Sequence, residues 1–266
     1  MNKFIAAMDH SGGSTGKMLD RYEQTYTEET KMDLIHAMRT RMINAPSFNG
    51  DNIWGAILFK DTVERGMAKT LLEEKEIVSF LKVDSGIIFS GMLKPFNLGN
   101  MIDIAKEHRC VGTKMRSIIY SKDVLEPIVK EQFELAQMIF DNGLIPIIEP
   151  EIPIDHMNKS ELECTLDASL RAHLGRFKGQ CILKLTLPEI KGLYTNYSTH
   201  PKVVKVVALS GGYSTKTACK RLSEQPAMGA SFSRALSENL YISQRDVDFN
   251  ASLGWNIKRI SEACSI

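Results

Sequence analysis

The sequence lacks any apolar run that approaches the roughly 20 residues needed to cross a bilayer. Its first apolar stretch, residues 4–8, is too short for the core of a signal peptide. Cysteine is scarce: there are five, an odd number, and none has a CxxC spacing. Cys110 and Cys181 lie in or beside apolar segments, where a thiol acts as a small core residue. These absences indicate a cytoplasmic protein in a reducing compartment, with no membrane segment.

An excess of charge of either sign is also missing. Lys and Arg number 33, Asp and Glu number 32, and the formal net charge is +1. This balance argues against a general nucleic-acid binder and against a membrane-surface protein. The six histidines are dispersed, and no cluster of His, Cys and carboxylates has the spacing of a zinc site.

The sequence does contain eight short apolar stretches of strand length, most of them followed by sequence rich in helix formers. The strands are expected at 4–9, 53–59, 79–84, 110–116, 144–151, 180–187, 202–209 and 230–234. Helices are expected at 28–43, 67–74, 97–109, 122–141, 158–174, 214–222 and 244–263. This order predicts an α/β fold, a (β/α)8 TIM barrel forming a single domain over 1–266, and the length matches the about 250 residues typical of such barrels. The competing topology is a doubly wound open sheet, which usually has fewer strands.

Three local features carry separate predictions. Pro146 and Pro150 predict that the fifth strand is irregular near its end, because prolines within a strand usually mark an edge or a bulge. Asn158 and Glu161 have the spacing of a helix-capping pair. Residues 10–17 predict a flexible loop that opens toward a helix, with hydroxyls, free N–H groups and a lysine suited to a phosphate.

Lys184 stands in the middle of the sixth predicted strand, which is otherwise apolar. Lysine is almost never fully buried unless a partner or a reaction requires it. Burial favours the neutral amine, which is the form that attacks a ketone to make a Schiff base. The alternative is a structural lysine whose ammonium group reaches solvent at the strand end.

Polar residues gather at the carboxyl ends of the predicted strands, where a barrel builds its active site. They are Asp9, Lys82, Lys114, Arg116, Glu149, Glu151, Lys184, Ser210 and Arg234. We expect the three clustered lysines to lower one another's pKa, because like charges disfavour the charged form. Glu149 is placed to act as the acid and base that dehydrates a carbinolamine.

Two candidate phosphate sites flank this cluster. Ser210 and Gly211 follow the seventh strand, and Arg234 ends the eighth, which is where this fold frequently binds phosphate. The loop from Ser11 to Lys17, after the first strand, is a candidate site for a second phosphate. Two anion sites around a Schiff-base lysine indicate a sugar that carries a phosphate at each end.

Eight short motifs, in order along nearly the whole chain, resemble those of class I fructose-1,6-bisphosphate aldolases, most closely the bacterial branch. They include DHSGGS at 9–14, LKVD at 81–84, TKMR at 113–116, PIIEPE at 146–151, LK at 183–184, LSGG at 209–212 and SFSRAL at 231–236, together with GAILF at 55–59. The resemblance implies reversible cleavage of fructose 1,6-bisphosphate to dihydroxyacetone phosphate and glyceraldehyde 3-phosphate, in glycolysis and gluconeogenesis. It implies no cofactor and no metal, because the iminium ion itself accepts the electrons.

The resemblance also implies a role for each site residue. Lys184 would form the Schiff base, Glu149 would transfer protons, and Asp9 would help deprotonate the hydroxyl whose loss of a proton breaks the carbon–carbon bond. Lys114 would place charge near the imine, Arg116 would contact the sugar phosphate, Lys82 would hydrogen-bond within the cluster, and Glu151 would help hold the lysines. Ser210, Gly211 and Arg234 would bind the ketone-side phosphate, and Ser11, Ser14 and Lys17 the other one.

The chain departs from the family pattern in three places. Its last tyrosine is Tyr241, so the group that reprotonates the carbanion is unassigned. The first strand begins at Phe4 without the usual preceding helix, a difference compatible with a homo-oligomer, and Ser233 stands where many relatives have glycine. Two alternatives stay open: a Schiff-base aldolase for another ketose bisphosphate such as tagatose 1,6-bisphosphate, and a catalytically silent sugar-phosphate-binding barrel.

Overall fold

Eight parallel strands form one sheet in the computed structural model, which describes residues 3–264. Neighbours in the sheet are neighbours in sequence, so each connection is a crossover to the adjacent strand. The strands are β1 (Phe4–Met8), β2 (Ile53–Leu58), β3 (Val78–Lys82), β4 (Gly112–Ile118), β5 (Ile145–Glu151), β6 (Cys181–Thr186), β7 (Val203–Leu209) and β8 (Gly229–Ala230). Nearly every strand residue is buried, as expected for a sheet that is covered on both faces.

Helices cover the outside of the sheet. They are α1 (Gly13–Arg21), α2 (Lys31–Asn44), α3 (Lys60–Glu64), α4 (Met67–Lys75), α5 (Leu98–Glu107), α6 (Lys122–Asp141), α7 (Lys159–Arg176), α8 (Thr215–Ser223) and α9 (Asp246–Ala263), with a 3₁₀ helix at Thr195–Thr199. Within residues 3–264, no helix is both long and apolar enough to span a membrane.

The sheet curls into a nearly closed barrel, which confirms the predicted (β/α)8 fold. Between β1 and β8, the Ala7 N–H donates to the Phe232 carbonyl oxygen at 3.4 Å, just beyond the end of β8. We call this junction the seam. Side chains that point inward from alternate positions fill the barrel interior, among them Ile5, Ile57, Phe80, Ile147, Ile182 and Val207.

The proline-containing strand β5 is irregular near its end, as predicted, although it does not lie at an edge of the sheet. It pairs with β4 without a break from Ile145 to Glu151 and lies between β4 and β6. The predicted irregularity occurs on its other side, where pairing with β6 ends at Ile148. Beyond that point the Thr186 hydroxyl replaces backbone pairing. It accepts from the Ile152 N–H at 3.0 Å and donates to the Ile152 carbonyl at 2.8 Å.

Three other local predictions are corrected. Residues 13–17 are not a loop but the start of α1, so Ser14 and Lys17 project from a helix. The eighth strand ends at Ala230, and Arg234 therefore lies in the turn beyond it. Asn158 does precede α7, but its side chain makes no capping hydrogen bond.

Candidate active site

A cavity of about 590 Å³ lies at the carboxyl ends of the strands. All of the residues predicted for the site border it: Asp9, Ser11, Ser14, Lys17, Lys82, Lys114, Arg116, Glu149, Glu151, Lys184, Ser210, Gly211 and Arg234. His10, Arg21, Asp84, Ser231 and Ser233 also line the cavity and were not predicted. One polar cavity therefore collects residues that are more than 220 positions apart in the sequence.

Strand alternation explains why the key side chains point into this cavity. Ile147 and Ile182 are inward-facing residues of the barrel interior. In a strand the residue two positions on points to the same side, so Glu149 and Lys184 also face inward, one layer nearer the carboxyl ends. Lys82 follows Phe80 by the same rule.

The centre of the site is a chain of four buried charges. The Lys184 Nζ lies 3.3 Å from Glu149 Oε1. The Lys114 Nζ lies 2.9 Å from Glu149 Oε2 and 2.8 Å from Asp9 Oδ2. Glu149 is thus in contact with two lysines through different oxygens, and each of the four side chains is at most 11% exposed.

The charges of Lys114 and Asp9 stabilise each other. Burial alone would lower the pKa of Lys114, but Asp9 and Glu149 outweigh it and raise that pKa above its ordinary value. Burial alone would raise the pKa of Asp9, but Lys114 and Lys184 hold it well below its usual range. The expectation that clustered lysines lower one another's pKa is therefore wrong for Lys114, because carboxylates alternate with the lysines.

A second group of charges lines the wall formed by β3, β4 and β5. The Lys82 Nζ donates to the Asp84 carboxylate at 2.8 Å and to the Asp84 carbonyl at 2.6 Å. The other Asp84 carboxylate oxygen accepts from the Arg116 N–H at 3.2 Å. The Arg116 guanidinium pairs with Glu151 at 3.1 Å, so Glu151 contacts an arginine, where the resemblance implied the lysines. Burial raises the pKa of Glu151, and Arg116 only partly opposes this rise.

The loop after β7 meets the turn after β8 on the seam side of the cavity. Ser210 is buried, and Gly211 and Gly212 have φ angles of 58° and 130°, which strongly favour glycine. A Cβ on Gly212 would lie 3.5 Å from Arg234 Nη2, so this guanidinium sits directly over the glycine backbone. Exposed N–H groups beside an arginine are suited to bind a phosphate.

The other residues predicted to bind a phosphate lie in and just before the first turns of α1. The Ser14 hydroxyl donates to the Ser11 carbonyl at 2.8 Å and accepts from the Ser11 N–H at 3.0 Å. Lys17 lies one turn further along the helix and is exposed. A Cβ on Gly16 would lie 2.4 Å from the Tyr26 hydroxyl oxygen, so a larger residue at this position would displace the half-buried Tyr26 ring.

His10, next to Asp9, is fixed at both its main chain and its side chain. Its carbonyl accepts from Arg39 Nη2 at 2.7 Å, and its Nε2 lies 2.8 Å from the Ser233 hydroxyl. Burial lowers the pKa of His10 to about 4, although Asp9 opposes this effect. The contact between His10 and Ser233 spans the seam. The sequence did not indicate this contact, because the two residues are far apart along the chain.

No family model matches the chain, but it is similar to curated and solved proteins over almost its entire length. A class 1 fructose-bisphosphate aldolase from Synechocystis sp. is 45% identical to it, with 98% of this chain and 93% of that protein covered. The chain belongs to the class I fructose-bisphosphate aldolases. The resemblance that the eight motifs indicated is thereby confirmed, and membership of this family makes the chain a carbon–carbon lyase.

Solved structures support the family's fold. Fructose-bisphosphate aldolase from Plasmodium falciparum, in complex with TRAP and an inhibitor, superposes with a TM-score of 0.81 at 21% identity, covering 99% of this chain and 90% of that one. An archaeal fructose-1,6-bisphosphate aldolase with its catalytic lysine bound to the carbinolamine intermediate superposes with a TM-score of 0.55 at 11% identity, covering 98% and 94%. Within residues 3–264 of this aldolase, no group of three or more His, Cys, Asp or Glu side chains is arranged to hold a metal ion.

Proposed function

We propose that this chain cleaves fructose 1,6-bisphosphate reversibly, through a Schiff base on Lys184. The observation that carries the assignment is the buried contact of 3.3 Å between the Lys184 amine and the Glu149 carboxylate, at the carboxyl ends of the barrel strands. A nucleophilic amine and a proton-transfer group within reach of each other are what imine formation requires.

The first half of the reaction belongs to Lys184 and Glu149. Glu149 accepts a proton from the Lys184 ammonium group. The resulting amine attacks the substrate ketone, and transfer of a proton from nitrogen to oxygen completes the carbinolamine. Glu149 then donates a proton to the carbinolamine hydroxyl, which leaves as water and yields the iminium ion. The proton that Glu149 donates is the one it accepted from Lys184, and the contact with Lys114 holds the carboxylate between the two lysines.

Cleavage of the carbon–carbon bond belongs to Asp9. Because the pKa of Asp9 is held well below its usual range, its carboxylate is ionised at neutral pH and can accept the proton of the substrate hydroxyl. The C–C electron pair moves into the iminium ion, the aldehyde product leaves, and an enamine stays on Lys184. Lys114, cationic and 2.8 Å from Asp9, stabilises negative charge that develops on the hydroxyl oxygen.

The remaining site residues bind and orient the sugar bisphosphate. Ser210, Gly211 and Arg234 take the ketone-side phosphate, and Ser11, Ser14 and Lys17 take the other. Lys82 and Arg116, each held by a carboxylate, face the sugar between the two phosphates, and Glu151 fixes the direction of the Arg116 guanidinium.

Trapping with borohydride tests this assignment. With dihydroxyacetone phosphate and borohydride, we expect a stable adduct on Lys184, located by peptide mass spectrometry. The Lys184→Met variant should retain the fold by circular dichroism and lose both turnover and adduct, because the change keeps the volume and removes the amine. Lys178→Met, on an exposed lysine outside the cavity, is the matched control and should behave as wild type.

The same experiment can contradict the assignment. An active enzyme with no adduct on Lys184, or a Lys184→Met variant that still turns over, would rule out the Schiff base at this position. Loss of wild-type activity in EDTA would contradict a metal-independent reaction.

A further inference from the structure

Three cationic side chains at the cavity rim have no anionic partner within the described range 3–264. They are Lys17, Arg21 and Arg234, and no hydrogen bond or ion pair of their side chains to a carboxylate is present in that range. Elsewhere in the cavity each cation has a carboxylate in contact, as Lys114 has Asp9 and Arg116 has Glu151. The cations at the rim therefore differ from those deeper in the cavity, because no carboxylate of the described chain neutralises them. They are suited to bind an anionic ligand.

Arg21 is the rim residue for which sequence motifs give no role. It is the last residue of α1 and lies four positions after Lys17, so both project from one face of the helix. This face borders the cavity, because both side chains line it. A shift of the arginine by one or two residues along α1 would turn its side chain away from the cavity.

Arg21 also lies near Arg234 across the seam. The Ala7 hydrogen bond to Phe232 and the His10 contact with Ser233 bring the segment after β1 against the turn after β8. Burial lowers the pKa of Arg234, the charge of Arg21 lowers it further, and the more weakly acting Glu151 does not offset these two effects. A dianion placed between two guanidinium groups relieves their mutual repulsion and forms charge-assisted hydrogen bonds with both.

We propose that Arg21 is a substrate-binding residue that completes the ketone-side phosphate site, gripping the phosphate together with Arg234. This inference rests on the proposed function, and it adds a residue from α1 to a site otherwise built from the loops after β7 and β8. The ketone-side phosphate is then held from both sides of the seam. On this proposal Arg21 binds the ketone-side phosphate and Lys17 binds the other one, from successive turns of α1.

The Arg21→Gln variant tests the proposal with two substrates. Fructose 1,6-bisphosphate carries both phosphates, and fructose 1-phosphate carries only the ketone-side one. Because both contain the phosphate that Arg21 binds, we expect KM to rise about tenfold for each, with kcat within twofold of wild type. Arg21→Lys should recover part of the loss, since it keeps the charge but not the two-pronged geometry.

The matched control is Arg176→Gln, an exposed arginine at the end of α7 outside the cavity, which should leave both KM values unchanged. A rise in KM for fructose 1,6-bisphosphate alone would assign Arg21 to the other phosphate and overturn the proposal. So would an unchanged KM for both substrates, or a loss confined to kcat. Failure of the underlying function is distinct: wild-type protein would then cleave neither substrate and form no borohydride adduct.

Discussion

His10 is a buried imidazole beside the carboxylate that we assign to carbon–carbon cleavage. Burial lowers the pKa of His10 from 6.5 to about 4 in the folded protein. Between these two pH values the unfolded chain therefore binds more protons at this residue than the folded chain does. Stability contributed by neutral His10 is complete above pH about 6.5 and is lost as the pH falls toward about 4.

We therefore predict that wild-type protein loses up to about 3 kcal/mol of unfolding free energy through His10 between pH 6.5 and 4. This is an upper value, because the ring borders the water-accessible cavity. The His10→Gln variant cannot titrate and can still hydrogen-bond to Ser233, so its stability should fall less over the same range. Urea unfolding at several pH values measures the difference.

The control for this prediction is His108→Gln, at the end of α5 and outside the cavity, which should keep the wild-type slope. Equal slopes for wild type and His10→Gln would contradict the prediction. The ion pair of Asp9 is lost only at lower pH. Burial alone would raise the pKa of Asp9, but Lys114 and Lys184 outweigh burial and hold it below its ordinary value of 3.8.

Sequence alone identified the inward-facing catalytic candidates because strand alternation leaves little freedom. Once Ile147 and Ile182 face the barrel interior, Glu149 and Lys184 must line its mouth. Asp84 was missed as a site residue although it follows Lys82 closely, since a strand pattern does not show which lysine a carboxylate will contact. The role of Arg21 and the contact of His10 with Ser233 were missed because the residues that they approach lie at the other end of the chain.

A buried ionic network fixes the segment that follows strand β6. Lys159, the first residue of α7, pairs with Glu163 one turn later and donates to the Leu187 carbonyl at 2.7 Å. Glu163 also accepts from the Glu189 N–H at 2.9 Å. Leu187 lies three residues after Lys184, so α7 anchors the chain just beyond the proposed Schiff-base lysine.

We predict that Lys159→Met lowers the unfolding free energy by about 3–5 kcal/mol, because it leaves the Glu163 carboxylate buried without its cation. The double variant Lys159→Met with Glu163→Gln should recover most of the loss. The neutral amide needs no counter-charge, and its oxygen can still accept from Glu189. Denaturant unfolding of the two variants and wild type measures both effects.

A single variant within about 0.5 kcal/mol of wild type would show that this ion pair does not stabilise the fold. A double variant no better than the single one would indicate that the lost bond to Leu187, and not the unpaired carboxylate, carries the effect.

The elements that the sequence did not indicate, or indicated with wrong bounds as for β8, are those whose formation depends on tertiary contacts. Helix α1 begins in a glycine-rich segment with low intrinsic helix propensity, and Gly16 is tolerated because the Tyr26 hydroxyl occupies the space of a Cβ. Strand β8 is only two residues long, because only Gly229 and Ala230 pair with β7. Helix α3 spans five residues, too few to show a period.

At the scale of the whole molecule, the seam is the least hydrogen-bonded junction of the barrel. Strands β4 and β5 pair over seven residues, whereas β1 and β8 are joined near Ala7 by a backbone hydrogen bond of 3.4 Å. The side-chain contact of His10 with Ser233 reinforces this junction. Local opening should therefore start here, where few backbone bonds oppose it.

Hydrogen exchange measures this difference directly. We predict that the Ala7 amide exchanges faster than the Met115 amide, which lies in the continuous ladder between β4 and β5, although both residues are buried. The Ser233→Ala variant, which removes the hydroxyl that contacts His10, should speed exchange at Ala7 and leave Met115 unchanged. Equal protection of the two amides in wild type would contradict a weak seam.

The groups proposed to hold the ketone-side phosphate come from opposite sides of this junction, Arg21 from α1 and Arg234 from the turn after β8. A bound sugar phosphate would then act as a removable cross-link between the first and last thirds of the chain. Bound substrate would reinforce the junction that the backbone closes weakly, so the barrel should become more stable as the site fills.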